Sequence, residues 1–174
     1  IVVNGDLTIN HILATFTRCT FNISSGSQIF INSGKRLSLF GCLIFSCGDT
    51  PWNGVYVSPN GLLICRNESQ NNTIIENANN AIILLSKSKL TLESTIFTRN
   101  DICIYVFGSP TIFKFKDNIF SGVFSTSLSN IGINLDWYNN TSLPIYSTFD
   151  VEGIASGINQ FIGLKYGIHG LNST

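Results

Sequence analysis

Charge is scarce in this sequence, and the two signs cancel. Charged side chains make up 11% of the 174 residues, and ten Lys or Arg balance ten Asp or Glu. A nucleic-acid-binding domain carries a clustered excess of Lys and Arg, but only Lys35 and Arg36 are adjacent here, so we expect no nucleic-acid partner. The apolar fraction of 44% excludes a disordered chain, which combines low hydrophobicity with high charge. No apolar run approaches the ~18 residues of a membrane-spanning helix, so we expect no membrane span in this segment.

Motifs for metal or cofactor binding are also missing. The chain has no CxxC pair, P-loop or GxGxxG, and we predict neither a metal nor a cofactor. Its cysteines are odd in number, which excludes a complete set of intrachain disulfides, and we interpret them as small apolar residues in or near the core. The five cysteines are Cys19, Cys42, Cys47, Cys65 and Cys103. Cys42 and Cys47 are the one pair near enough in sequence to suggest a bridge.

Methionine is absent, and the chain opens with Ile1-Val2-Val3 and no signal-peptide pattern. We therefore expect a processed or excised piece of a longer protein. The length suits one domain, and no linker or change of composition divides the sequence. The chain is accordingly predicted to form a single domain over 1–174.

The clearest pattern present is a repeat between 90–97 and 113–120. Apolar residues coincide at four positions when the segments are superposed at an offset of 23 residues: Leu90/Phe113, Leu92/Phe115, Ile96/Ile119 and Phe97/Phe120. Short alternating strands that recur at such an offset, separated by polar corners, indicate a chain that coils through similar turns. Asn occurs 20 times and tolerates the left-handed conformation that tight corners need.

Three strand types recur in one order along the chain, which favours parallel stacking over an antiparallel sandwich. Six aliphatic residues are predicted to be equivalent in successive coils of 22 to 35 residues: Ile29, Val55, Ile82, Ile104, Ile133 and Ile168. We predict an all-β fold, a right-handed parallel β-helix. It is a single-stranded solenoid of about five to six coils and a fragment of a longer helix. Its N-terminal coils cover 1–50, its regular coils 51–124 and its looser C-terminal coils 125–174.

Four segments of the chain resemble a known group of proteins. They are QIFINSGKRLSL at 28–39, WNGVYV at 52–57, IENANNAI at 75–82 and FTRN at 97–100. They are similar to the right-handed parallel β-helix repeats of secreted bacterial surface proteins, especially those of Bacteroidota, within the pectin-lyase-like superfamily. The resemblance implies export to the outer surface of a bacterium, often with a C-terminal sorting domain that this sequence does not contain. It says little about activity, because the fold carries lyases, hydrolases, adhesins and phage tailspikes.

In the enzymes of that superfamily, substrate lies along the outer face of one stacked sheet. The strands around the equivalent aliphatic residues are the candidate face, and alternation predicts that their intervening residues point outward. These are Phe30, Tyr56, Ile83, Tyr105 and, in the looser coils, Asn134. We predict the stripe from Phe30 to Tyr105 to be a ligand- or partner-binding surface, because exposed apolar patches often mark interaction sites. The alternative is that a loop or a neighbouring domain covers it.

Chemistry on that stripe is not expected. A lyase needs a base and carboxylates for calcium, and a hydrolase needs paired acids, but the predicted stripe contains no acid and no base. Glu93 and Lys116 are interpreted as a surface ion pair between coils. Asp136, beside Trp137 and Tyr138, is the best remaining candidate for a carbohydrate contact. The alternative is a solvated acid with aromatic rings packed beneath it.

Three functions stay open from the sequence. The first is a non-catalytic, exported β-helix segment of a larger cell-surface or secreted protein, which serves as a rigid stalk, adhesion module or scaffold that binds a polysaccharide or another surface protein. The second is a polysaccharide lyase or glycoside hydrolase whose catalytic residues lie mostly outside this segment. The third is a receptor-binding module like that of a phage tailspike. The absence of recurring acids favours the first and a non-enzymatic role, and the remaining coils or domains of the parent protein are its expected partners.

Overall fold

A computed structural model describes residues 1–46, 48–122, 131–136, 150–151 and 159–171. Within these ranges all regular structure is β-strand, with no helix. Accordingly, none of the described residues forms a helix that is long and apolar enough to cross a membrane.

The strands form three parallel sheets, and successive strands of the chain pass from one sheet to the next. Sheet A contains β1 (Val2–Val3), β4 (Thr20–Ile23), β7 (Leu43–Ser46), β10 (Thr73–Glu76), β13 (Thr95–Thr98), β16 (Ile119–Ser121) and β19 (Gln160–Ile162). Sheet B contains β2 (Leu7–Ile9), β5 (Gln28–Ile31), β8 (Gly54–Val57), β11 (Asn80–Leu84), β14 (Ile102–Phe107), β17 (Ile131–Asp136) and β20 (Tyr166–Leu171). Sheet C contains β3 (Leu13–Thr17), β6 (Arg36–Phe40), β9 (Leu62–Arg66), β12 (Lys89–Glu93), β15 (Thr111–Lys116) and β18 (Asp150–Val151). Each strand pairs with the strands three before and three after it, as a parallel β-helix requires.

The register of sheet B confirms the six predicted equivalences. The aligned residues are Ile29, Val55, Ile82, Ile104, Ile133 and Ile168, and each pairs with the next. Their numbers differ by 26, 27, 22, 29 and 35, so the strands stay in step while the connections vary in length. This is expected because buried strands fix the register, whereas surface connections tolerate insertions.

The 23-residue repeat is confirmed at three of its four positions. Leu92 pairs with Phe115, Ile96 with Ile119 and Phe97 with Phe120. The prediction for Leu90 and Phe113 is wrong, because Leu90 pairs with Ile112 and the register shifts by one residue before Thr91 pairs with Lys114. An extra residue in one strand of a pair is a β-bulge, and it leaves Phe113 without a partner in β12.

The core is a continuous column of side chains from the inner faces of all three sheets. Ile29, Ile31, Leu37 and Leu39 are buried, as alternation predicts. In sheet A, aromatic rings stack directly from coil to coil. The ring of Phe120 lies 4.9 Å from that of Phe97 and 4.8 Å from that of Phe161, with nearly parallel planes. Each buried ring or aliphatic side chain contributes about 1.5–3 kcal/mol, but only because a neighbouring coil covers it.

The five described connections from sheet C to sheet A all use residues in the left-handed conformation, and all but the longer connection 67–72 are tight corners. These residues are Arg18, Gly41, Ser69, Gln70, Ser94 and Asp117, with φ between 48° and 70°. Only one of the six is a glycine, although the conformation costs other L-residues about 1–2 kcal/mol. This conformational cost recurs in nearly every coil, so it has to be offset by contacts that the corner makes possible.

Those contacts come from the residue that begins or directly precedes each strand of sheet A from β4 to β19. This residue is equivalent in successive coils, and we call the set the corner ladder: Cys19, Cys42, Thr73, Thr95, Asn118 and Asn159. The Oδ1 atom of Asn118 accepts a hydrogen bond of 3.0 Å from the backbone N–H of Thr95, and Oδ1 of Asn159 accepts one of 3.0 Å from that of Asn118. The side chains thus satisfy buried backbone donors across the gap between coils.

The corner ladder also bonds to carbonyl groups of the preceding coil. Nδ2 of Asn118 donates to the Leu92 carbonyl at 3.4 Å, and Nδ2 of Asn159 donates to the Phe115 carbonyl at 3.1 Å. Oγ1 of Thr73 lies 3.1 Å from the carbonyl oxygen of Leu39. The three carbonyls lie on one register line of sheet C. The ladder therefore ties sheet C of one coil to sheet A of the next.

A second set of corner contacts joins sheet A to sheet B. Asn100 accepts from the backbone N–H of Ala78 at 2.9 Å and donates to the Ile75 carbonyl at 2.9 Å. Trp52 fills the corner before β8. Trp52 is fully buried, and its Nε1–H donates to the Glu76 carbonyl at 2.9 Å.

Replacing Asn118 by Ala is expected to destabilise the protein by about 2–4 kcal/mol, because it leaves buried backbone groups of two coils without partners. The free energy of unfolding in urea measures this. Asn22 is the control, since it is partly exposed on the outer face of β4, and Asn22→Ala should cost under about 0.5 kcal/mol. Equal losses for the two variants would contradict a structural role for the ladder.

Gly54→Ala is expected to prevent folding or to lower the free energy of unfolding by more than about 3 kcal/mol. Gly54 has φ of 89°, and an added Cβ would overlap the backbone carbonyl of Asn80 in the next coil. Gly26 has φ of 72° with open space around it, so Gly26→Ala should cost only the conformational penalty of about 1 kcal/mol. Thermal unfolding of the two variants separates the steric cost from the backbone cost.

Candidate binding face

The predicted stripe exists as one column on the outer face of sheet B. Phe30 pairs with Tyr56, Tyr56 with Ile83 and Ile83 with Tyr105. Thr8 precedes Phe30 in the same column. The aliphatic residues on either side of each member point into the core, which turns these side chains outward.

The side chains of this stripe are partly exposed, and neighbouring rings touch. The rings of Phe30 and Tyr56 lie 5.6 Å apart at a tilt of 54°. Adjacent coils are separated by about 4.8 Å, so the four residues form a narrow apolar track that crosses several coils. An aromatic face on a flat, rigid sheet is suited to packing against the C–H surface of a sugar ring or the apolar side chains of a protein.

The C-terminal end of the column differs from the expectation. Tyr105 pairs with Asn134, and Asn134 pairs with His169. Asn134 lies in the outward column, as alternation predicts, but it is only 5% exposed, and its Oδ1 lies 3.0 Å from Nδ1 of His169. His169, which lies outside the predicted stripe, therefore extends the column by one more coil. The equivalence of Ile133 and Ile168 placed His169 in the column and would have revealed it.

The second predicted site lies almost entirely outside the described residues. Trp137 and Tyr138 are among the residues that the structure does not describe. Asp136 is the last residue of β17, and its backbone pairs with Phe107 on one side and Leu171 on the other. The prediction of a carbohydrate contact at Asp136, Trp137 and Tyr138 stays a prediction.

The predicted ion pair between Glu93 and Lys116 is corrected. Their Cα atoms are partners in the register, but the Glu93 carboxylate binds Nζ of Lys114 at 2.7 Å and Nε of Arg66 at 3.7 Å. Lys116 instead lies 3.6 Å from the carboxylate of Asp117. A lysine two residues along the same face is within reach of its diagonal neighbour. The interpretation of Glu93 as a surface ion-pairing residue therefore holds with different partners.

Within the described parts of the chain, no group of three or more His, Cys, Asp or Glu residues could hold a metal ion. Among the same residues, Glu76 binds Arg99 at 2.8 Å on the side of sheet A. The ion-paired acids Glu76 and Glu93 thus lie near sheets A and C rather than beside the stripe.

A groove at the corner between sheets C and A was not predicted. It has a volume of about 430 Å³, and its floor includes Leu43 and Ile74, while Arg18, Gln70 and Asn71 contribute polar groups. One wall is a short hairpin in which Glu68 and Asn71 exchange backbone hydrogen bonds of 2.8 and 2.9 Å. The sequence showed this segment only as a polar excursion, because its position over the first two coils depends on the stacking.

The cysteines are confirmed as residues in or near the core where the structure describes them. Cys42, Cys65 and Cys103 are buried, Cys19 is partly exposed, and all four are free thiols. Burial raises the pKa of Cys42 and of Cys65, and it raises the pKa of Cys103 to about 12. Cys42 is thus unbridged here, while Cys47, its suggested partner, lies outside the described residues.

These features define the class of protein as a parallel β-solenoid with an aromatic column on one outer sheet. The chain belongs to the right-handed β-helix family, since residues 3–143 match the model of the right handed beta helix region. The match confirms the predicted right-handed β-helix. No curated protein and no solved structure matched the chain.

The burial of Cys103 predicts slow alkylation in the folded protein. With a pKa of about 12, its thiolate fraction near pH 8 is about a thousandfold below that of a thiol with an ordinary pKa of about 9. Iodoacetamide should therefore modify Cys19 well before Cys103, and urea should abolish the difference. Peptide mass spectrometry over time measures both rates, and equal rates in the folded protein would contradict the burial.

Proposed function

We propose that this chain is a non-catalytic β-helix segment of a larger, exported cell-surface or secreted protein, and that its outer sheet B binds polysaccharide. It acts as a rigid scaffold that holds the stripe of Phe30, Tyr56, Ile83 and Tyr105 in a fixed line. The family membership supports a scaffold or binding segment. The resemblance to bacterial surface repeats, of the Bacteroidota type within the pectin-lyase-like superfamily, supports the exported location.

The observation that carries the proposal is the continuity of the stripe. Four consecutive coils place an aromatic or branched apolar side chain at the same outward position, and the register aligns them without a break. Outward positions do not need apolar residues for folding, because the inner faces supply the core. A polysaccharide has a repeating sequence of apolar sugar faces, and a repeating column of rings matches it.

The positions of the acids support a binding rather than a catalytic role. Glu76 and Glu93 form ion pairs with Arg99 and with Lys114. A glycoside hydrolase places two carboxyl groups about 5–9.5 Å apart on either side of one bond, and the stripe carries aromatic and aliphatic side chains in that place. His169 lies at the end of the column, where its Nδ1 contacts Asn134.

A polysaccharide panel tests binding and catalysis together. The purified chain is incubated with neutral and acidic polysaccharides, with and without calcium, while affinity electrophoresis reports binding and reducing-end and ultraviolet assays report cleavage. We expect retardation by at least one polymer and no products. Cleavage by this segment alone would overturn the non-catalytic role, and a mobility that no polysaccharide retards would overturn the choice of ligand.

Replacing both Tyr56 and Tyr105 by Ala tests the stripe. Each stacked ring contributes about 0.5–1.5 kcal/mol, so the double variant should bind the retained polysaccharide roughly five- to a hundredfold more weakly. Phe40→Ala is the matched control, because Phe40 is a partly exposed outward residue at the end of β6 in sheet C. Unchanged affinity in the double variant, with the fold intact by circular dichroism, would remove the stripe as the recognition surface.

A further inference from the structure

We propose that Cys19 and Cys42 form a disulfide that joins the first two coils of the solenoid. This modification site goes beyond the binding role of sheet B and does not depend on it. Both residues belong to the corner ladder, and they occupy adjacent rungs. The structure describes both as free thiols, so the bond forms when the protein meets an oxidant.

The register gives the two residues suitable spacing. Thr20 pairs with Leu43, and the backbone N–H of Leu43 donates to the Cys19 carbonyl at 3.0 Å. Cys19 and Cys42 directly precede these partners, so their Cα atoms are one rung apart, or about 4.8 Å. Disulfides span Cα separations of about 4.4–6.8 Å.

The two sulfur atoms point to the same part of β3. Sγ of Cys42 reaches back to the preceding coil and lies 3.3 Å from the carbonyl oxygen of Phe16. Sγ of Cys19 lies 3.4 Å from the carbonyl oxygen of Thr17, the next residue. The sulfurs therefore contact consecutive carbonyl groups of one strand, and we expect a change of the Cys19 side-chain rotamer to bring them together.

The cysteine rungs of the ladder make weaker hydrogen bonds than the later rungs, so a covalent link would add stability there. At later rungs Thr or Asn side chains form strong hydrogen bonds between coils, whereas a thiol is only a weak donor. The first coil is poorly covered, since Ile12 is 79% and Leu13 52% exposed. A bond between the first two coils offsets the weak contacts at this end.

An oxidant has access to Cys19, the partly exposed member of the pair. The corner groove of about 430 Å³ is lined by both cysteines, and Arg18 beside Cys19 is exposed. Oxidised glutathione, an anionic small-molecule disulfide, supplies the oxidation. The Cys19 thiolate attacks one of its sulfurs and releases a glutathione thiolate. The Cys42 thiolate then attacks Sγ of Cys19 and releases the second glutathione, so two protein thiols are oxidised and one disulfide is reduced.

Selectivity follows from burial. Cys65 and Cys103 are enclosed in the core, where a glutathione molecule has no approach. The competing intrachain pairs are Cys42 with Cys47 and Cys42 with Cys65. Trypsin distinguishes them from Cys19–Cys42, because cleavage at Arg18, Lys35, Arg36 and Arg66 leaves Cys19 in peptide 19–35 and the other three cysteines in 37–66.

The test uses the full chain equilibrated with oxidised and reduced glutathione and then digested without reduction. We expect peptides 19–35 and 37–66 to be joined with the loss of two hydrogens, and cleavage before Asp49 together with fragmentation to place the link at Cys42. The folded, oxidised protein should lose two titratable thiols. Its melting temperature should rise by on the order of 5 °C or more, an increase that a reductant reverses.

Variants make each outcome decisive. Cys19→Ser, at a partly exposed position, should abolish the peptide link and the rise in melting temperature, while Cys103→Ser should leave both unchanged. Five free thiols after oxidation, or a link confined to peptide 37–66, would overturn the proposal. So would a rise in melting temperature that persists in Cys19→Ser.

Discussion

The structure depends on one constraint, the direction in which the chain leaves each corner. That direction has to place the next strand beside the equivalent strand of the preceding coil. Backbone hydrogen bonds of a parallel sheet run between coils and not within them, so a coil that misses its register loses both its bonds and its burial. Residues in the left-handed conformation in the described connections from sheet C to sheet A, such as Arg18 and Ser94, set this direction. The corner ladder then repays the conformational cost, because Asn118 and Asn159 satisfy backbone groups of the adjacent coil.

Alternation in the sequence predicts those features that recur as the same kind of residue in successive coils. The equivalence of Ile29, Val55 and Ile82 is visible because a buried strand accepts only apolar residues at its inward positions. The left-handed corners are not visible in this way, since Arg18 and Ser94 carry no local signal for positive φ. Their conformation follows from the strands on either side, which the tertiary structure fixes. The bulge that leaves Phe113 without a partner in β12 is hidden for the same reason, because Phe113-Lys114-Phe115-Lys116 alternates by itself and gives no sign of the extra residue.

The candidate site likewise has a part that alternation predicts and parts that depend on how the coils stack. The stripe follows from alternation alone, because a residue between two inward side chains has to point outward. The burial of Asn134 does not follow, because it depends on His169 in the next coil, 35 residues away. The corner groove requires two connections of different lengths to lie side by side. Sequence reasoning therefore finds sites built along a strand and misses those built between connections.

An outward column on such a scaffold is free to change. The core side chains of sheet B are fixed by their neighbours above and below, and substituting one of them disturbs three coils. The side chain of Tyr56 has no such restriction, and its contact with Phe30 contributes only about 0.5–1.5 kcal/mol. A polar residue at this position would keep the fold, and its side chain would be better solvated on the outer face of the sheet. Four adjacent coils nevertheless carry apolar side chains at this position, which points to a partner that covers them and excludes water. The straight line of the column favours an extended partner over a compact one.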